Sequence, residues 1–172
     1  MKLSILIPSI PERLEKVARL YYKLQSQIKG RPVEILSLCD NMKMSIGEKR
    51  NKLKDMAKGE YWAFVDDDDD ISDNYIDAFF ANYDSAYAVV TFRQQCQIED
   101  KNPFIVSFGL KNKNEELQYD GEGNFLNINR QPFHICFWKT DLFRDITFAN
   151  VGYSEDAFYV ENAVRSAKRI NI

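Results

Sequence analysis

The sequence predicts an α/β layered fold built on parallel strands, and three observations carry that prediction. Short apolar runs of strand type alternate with amphipathic stretches of helical period from Leu3 to Phe92. The connections between them are short, which calls for parallel strands joined by right-handed crossovers. Finally, the "PSIP" turn, Asp40 and a run of five aspartates, Asp66 to Asp70, each follow one of the apolar runs. Those are strand carboxyl ends, where sheets of this class bind ligands.

Taken in order, Leu3 to Ile7 reads as a buried strand ended by "PSIP". Pro11 opens a helix whose apolar positions Leu14, Val17, Leu20, Tyr21, Leu24 and Ile28 recur at three and four residues, closed by Gly30 and Pro32. Val33 to Cys39 is a second strand. Ser45 and Glu48 make a capping-box pattern for a second helix ending near Gly59. Tyr61 to Val65 is a third strand, with the aspartates at its carboxyl end. Ser72 is expected to cap a helix through Tyr83, and Ala86 to Phe92 reads as a fourth strand. From about Gln94 the pattern turns β-rich: "QCQIED", "PFIVSFGL" and "LQYDGEGNFLNI" read as short strands, the last a hairpin around Gly121 and Gly123. Lys139 to Asp145 reads as a short helix, and a longer one is expected to start at Ser154.

Composition bounds the function. The chain has 172 residues, 45% hydrophobic and 13% aromatic, enough for one domain with a sizeable core. A net charge of −3 does not advertise nucleic acid or an anionic membrane. Cys39, Cys96 and Cys136 are odd in number and far apart, which argues against a disulfide framework or zinc site and for a reducing compartment. "LSILI" is too short for a signal-peptide core, and no run approaches the ~20 apolar residues of a membrane span. The expectation is a soluble, cytoplasmic protein.

The aspartate run needs an explanation. Two unit charges ~5 Å apart at an effective dielectric near 20 repel by roughly 3 kcal/mol. Either the carboxylates splay into water, or something positive sits among them. Side chains alternate on a strand, so Asp66 and Asp68 are expected to point one way and Asp67 the other. Two such carboxylates make a hard oxygen site for Mg²⁺ or Mn²⁺ with positions left for substrate phosphates. An acidic solvated loop is the plain alternative; placement directly after an apolar strand weighs against it.

"SILIPSIPER", "VEILSLCDN" and "SIGEKRNKLKDMAKGEYWAFVDDDDDISDNYI" together resemble the family-two type of GT-A glycosyltransferase over about residues 2–80. The resemblance implies a GT-A fold, a mixed and mainly parallel sheet flanked by helices with a small β-rich part. It divides the single domain into a nucleotide-sugar-binding half, 1–93, and an acceptor-side half, 94–172. It implies that Pro8 lies in the loop under the nucleotide and that Asp40 contacts the base, uracil by default. Arg50 and Asn51 fill the family's Arg-Asn positions on the nucleotide side. Asp66 and Asp68 become the D-x-D metal pair, with Asp67 between them on the nucleotide-sugar side.

Glu155-Asp156, at a helix start, matches the family's E-D pair, which implies Asp156 as the general base and Glu155 as either an acceptor-side or a structural residue. Two acidic residues in a first helical turn are also favoured by the helix dipole alone. His134, the one histidine, falls where relatives place a polar residue near the diphosphate or metal; a plain buried histidine is its other reading. Trp138 reads either as a platform under an acceptor ring or as core. The implied partners are a nucleotide-diphosphate sugar and a glycan, lipid-linked, protein or modified-nucleobase acceptor. Family members are commonly longer, which implies a large acceptor, a partner chain or a homo-oligomer.

Rival chemistries fit less well. A haloacid-dehalogenase phosphatase wants Thr or Val where Asp70 stands, and a motif on the first strand rather than the third. A sugar nucleotidyltransferase needs a Gly-rich loop after the first strand, and "PSIPER" has no glycine. Walker and Rossmann phosphate loops are missing. A non-catalytic acidic module holding Ca²⁺ stays open at this stage.

Overall fold

A computed structural model describes residues 1–97, 102–113, 116–123 and 125–170. The strands β1 (Leu3–Ser9), β2 (Val33–Cys39), β3 (Tyr61–Phe64), β4 (Val89–Val90) and β9 (Phe137–Lys139) form one sheet in the order β2-β1-β3-β9-β4. The first three are parallel, as the short crossovers require; β9 runs antiparallel between β3 and β4. A second sheet, β5-β6-β8-β7, joins β5 (Arg93–Cys96), β6 (Phe104–Phe108), β7 (Glu116–Tyr119) and β8 (Phe125–Arg130). The β7–β8 pair is the expected hairpin, with Gly123 at φ 85° in its turn, where an L side chain would be strained. Ile98 to Asp100, the end of the "QCQIED" run, lie outside the described residues.

Strand alternation sorts the core into two layers. Leu3, Ile5, Ile7, Tyr61 and Ala63 face α1 (Leu14–Ile28) and α3 (Tyr75–Asn82), where Leu20, Leu24, Ile76 and Phe79 are buried. Leu6, Trp62 and Phe64 face the opposite way. They pack with Leu53 of α2 (Ile46–Met56), Phe143 of α4 (Thr140–Phe143) and Tyr159 of α5 (Glu155–Ile170). The whole of β1 is buried, as a strand covered on both faces must be.

Several local expectations change. β1 continues through Pro8 to Ser9, so Pro8 is a buried strand residue rather than part of a loop. Val65 N–H donates to Leu6 O at 3.0 Å, so the even-numbered backbone groups of β1 face β3. At Pro8 that neighbour has already ended, and the missing N–H costs no ladder bond. Pro11–Arg13 is a separate 3-10 turn ahead of α1. Ser45 caps α2 as expected, accepting from Glu48 N–H at 3.1 Å. Ser72 does not cap α3: it lies three residues upstream, and its carbonyl accepts from Tyr75 N–H and Gln27. Ser154 has φ 62°, outside the extended geometry of a side-chain cap, and α5 begins at Glu155. The fourth strand shrinks to Val89–Val90 because its partner β9 is only three residues long. Among the described residues, no helix is long and apolar enough to cross a membrane.

Candidate active site

Because β1, β2 and β3 are parallel, Ser9, Asp40 and Asp66 arrive at one edge of the sheet. α2 runs behind that edge, and three consecutive side chains fan out from it. Lys49, 4% exposed at its side chain, donates to Ser9 O at 2.6 Å and pairs with Asp40 Oδ1 at 2.6 Å. Asp40 Oδ2 accepts from the backbone N–H of Lys43 and Met44. Lys49, then Met44 N–H, hold the Asp40 carboxyl below its ordinary range.

Arg50 is buried. It donates from Nη2 to Asp66 Oδ1 at 2.9 Å and faces Glu155 Oε1 from Nη1 at 3.4 Å, with Phe64 and Phe148 on its faces at 5.3 and 5.7 Å. It is therefore an internal tie between β3 and α5, not a solvated helical arginine. Asn51 is committed as well: its amide donates to Phe148 O and its oxygen accepts Phe148 N–H, at 2.9 and 2.8 Å. This staple to the 146–149 segment takes Asn51 away from a nucleotide contact.

The positive groups among the aspartates come from the chain itself. Alternation holds for the first two residues: Asp66 continues the Phe64 face toward Arg50, and Asp67 turns to the α1 side. There the buried Asp67 accepts from Arg13 Nη1 at 2.8 Å. Alternation then fails, because Asp69 N–H donates to Asp66 O and makes a turn. Asp68 consequently joins Asp67 on Arg13, at 3.0 Å, instead of sharing a side with Asp66. Lys23 takes Asp70 and Asp73, at 2.9 and 3.6 Å. Asp69 has no ion pair among the described residues, and burial, then the charges of Asp66 and Asp68, push its carboxyl up.

His134 reaches this cluster from the turn that precedes β9. β9 pairs antiparallel with β3, and the turn just ahead of it, closed by Cys136 N–H donating to Phe133 O at 3.0 Å, carries His134 to the carboxyl end of β3. Its imidazole is buried, with Nε2 3.6 Å from Asp66 Oδ2 and Nδ1 3.3 Å from Asp156 Oδ2. Burial pushes the Asp66 carboxyl up, but His134 and Arg50 outweigh it and the group sits below its ordinary range. Asp156 is lowered chiefly by His134, against burial, with help from Ala157 N–H in the first turn of α5.

Two acceptor-side expectations are corrected here. Trp138 is fully buried and its indole N–H donates to Phe133 O at 2.9 Å, so it is core. Glu155 is buried against Arg50 and cannot face an acceptor. Asp67 likewise turns toward α1, away from the edge where Asp40 and Asp66 meet. Reading the sequence missed Arg13 and Lys49. The signal for Arg13 was the charge excess of the run itself, which demands nearby cations.

As a metal seat the cluster is lean. Among the described residues no three His, Cys, Asp or Glu side chains converge closely enough to enclose a cation. Two observations nevertheless suit one. Asp69 has no ion pair among the described residues, and the buried His134 ring faces Asp66 at 3.6 Å and Asp156 at 3.3 Å, longer than a close hydrogen bond. Hard carboxylates with an imidazole fit Mn²⁺ or Mg²⁺, which bind through one or two carboxylates and complete their shell with phosphates and water. A groove of about 830 Å³ opens from Asp69 and Asp70 past Asn74, Tyr75 and Phe92 to Gln94.

No protein family and no curated protein sequence matches the chain. Solved structures do. S. aureus TarS 1–349 in complex with UDP superposes with a TM-score of 0.64 at 16% identity, covering 96% of this chain and 56% of that one. Its complex with UDP-GlcNAc gives 0.62 at 15% identity, covering 96% and 54%. The fold is GT-A. The chain spans about half the length of these TarS structures.

Proposed function

We propose that the chain is a glycosyltransferase moving a sugar from a nucleotide diphosphate, a UDP-sugar, to an acceptor hydroxyl with inversion. The observation that carries this reading is Asp156: an ionised carboxylate in the first turn of α5, facing strand-end Asp66 across one buried imidazole. The GT-A likeness to TarS, solved with UDP and UDP-GlcNAc, supports the donor class.

In this reading the base of the donor lies by Asp40, which Lys49 holds in place. Asp66 and Asp69, with His134, would hold Mn²⁺ or Mg²⁺, since Asp68 is turned to Arg13; such an ion supplies Lewis-acid stabilisation of a departing diphosphate. Arg50 keeps Asp66 ionised and aimed while its other side fixes Glu155, and through it the start of α5. Asp156 accepts the acceptor hydroxyl's proton as that oxygen attacks the anomeric carbon. His134 orients Asp156, and its apolar neighbours Phe64 and Phe133 exclude water from that contact. The acceptor approaches Asp156 from solvent, since that side chain is 23% exposed.

The test is UDP release from a panel of UDP-sugars with Mn²⁺, beside thermal shifts with the same donors. Asp156→Asn is expected to lower turnover by about 10²–10⁴-fold while keeping the UDP-induced shift. If no donor shifts the melting curve, or if Asp156→Asn turns over normally, the reading fails.

A further inference from the structure

Register sorts the second sheet into a covered side and an open one. Directly paired residues share a side, so Val106, Ile128 and Leu117 lie together, and Val106 and Ile128 pack against the core of the first sheet. The other side carries Gln95, Ile105, Asn127 and Gln118, one from each strand, in a single row about 14 Å long. Gln95, Ile105 and Gln118 are exposed. Asn127 Oδ1 is shielded from solvent and has no hydrogen-bond partner.

This row continues into the groove beside the candidate active site. Arg93, Gln95 and Ile105 line the far end of the groove. Asp69, whose N–H donates to Asp66 O, lines the near end together with Ile135, the chain neighbour of His134. Between the two ends lie Asn74, Asn82 and Gln94, with the half-buried rings of Tyr75 and Phe92 edge to face at 6.3 Å. The Tyr75 hydroxyl oxygen is buried and unpartnered as well. Leaving such an atom unpaired costs about 1–3 kcal/mol, part of which a ligand hydroxyl recovers by bonding to it.

The lining selects an occupant. Side-chain amides each offer donors and an acceptor, and aromatic rings offer flat apolar faces. A chain of sugar rings presents the complement, hydroxyls at its edges and C–H groups on its faces. An anionic chain would meet Asp69 and Asp70 at the near end and find one lining cation, Arg93. A lipid tail would bury the amides without partners. We propose that the groove and the open row hold an uncharged saccharide chain, the acceptor of the transfer, with its reacting end toward the Asp66–His134–Asp156 cluster. The inference rests on the glycosyltransferase reading above and adds the acceptor class, which that reading leaves open.

The test measures binding of neutral tetrasaccharides, built from glucose, galactose, mannose or N-acetylglucosamine, to the full chain by calorimetry, with UDP binding measured separately. At least one tetrasaccharide is expected to bind. Tyr75→Phe, Gln95→Ala and Asn127→Ala should each weaken it about two- to tenfold and leave UDP affinity unchanged. Tyr75→Phe removes an oxygen that holds no bond in the free protein, so a merely structural role for Tyr75 predicts no loss of saccharide affinity. Leu117→Ser, on the other side of the sheet, is expected to change nothing. In turnover assays the three groove variants should raise the acceptor KM and spare kcat. The proposal is overturned if no tetrasaccharide binds while UDP does, if the three variants bind like wild type, or if a peptide library binds through these residues and the sugars do not. If a tetrasaccharide binds as expected and UDP does not, the donor reading falls and the saccharide site survives it.

Discussion

The two sheets of this protein do different work. In the first, β1 is buried along its whole length, and β3 is buried on both faces between the α1/α3 and α2/α5 layers. All the charged groups of the site hang from its edge or from the helices that cover it. The second sheet is half covered: Val106 is buried, whereas Ile105, Leu117 and Leu126 are exposed to between 37% and 55%. No side chain of the Asp66–His134–Asp156 cluster comes from it. A buried cluster of opposite charges needs a scaffold that cannot yield, because each charge is tolerable only while its partner stays within reach. The first sheet, covered on both faces, supplies that.

Substitutions can break or sharpen this contrast. The largest stability loss is expected for Arg50→Ala, which strands Asp66 and Glu155 without their shared cation. Removing one member of a buried pair costs about 3–5 kcal/mol, or roughly 6–20 °C in melting temperature for a chain of this size. Scanning calorimetry checks it, and a drop under about 2 °C would mean that the cluster is more hydrated than its burial indicates.

Gly47→Ala comes next. A Cβ there would stand 1.8 Å from Ala149 O and 3.2 Å from Glu155 Cβ. The first turn of α2 must back away from the segment leading into α5, at a cost of about 1–3 kcal/mol. Turnover should fall along with the melting temperature, because the start of α5 carries Asp156. Full activity at a lowered melting temperature would show that Asp156 does not depend on this contact.

A smaller effect is expected from pH. The Asp156 carboxyl is held below its ordinary value of 3.8 in the folded protein. The unfolded chain therefore binds more protons in that region, and the group's contribution is present above about pH 4 and lost as pH falls through the lowered folded value. Asp156→Asn should flatten the acid limb of a melting-temperature profile relative to wild type and leave the neutral region parallel. Identical acid limbs would remove the His134 contact as a stabilising one.

The smallest effect belongs to the second sheet. Leu117→Ser on β7, 42% exposed, is expected to stay within about 0.5 kcal/mol and to leave UDP binding unchanged. An effect near that of Arg50→Ala would erase the distinction between the sheets.

Periodicity and punctuation alone determined the parallel half of the fold: the three strands, the Ser45 capping box and the meeting of Asp40 and Asp66 at the strands' carboxyl ends. These are local properties, set by side-chain period, capping chemistry and short connections. The type of Asp40, Asp66 and Asp156 was legible for the same reason, since each stands at the end of an element that the sequence announces. Only the tertiary structure decided which charges meet. Arg50 and Asn51 are neighbours in sequence, yet one ties two carboxylates together while the other staples a backbone, because helical rotation points them at different parts of the chain. Asp68 left the side of Asp66 when a turn replaced the strand. His134 entered the site from the turn ahead of β9, a three-residue strand too short for any pattern to reveal. Contacts of this kind depend on pairings between segments some seventy residues apart, and no window along the chain contains both partners.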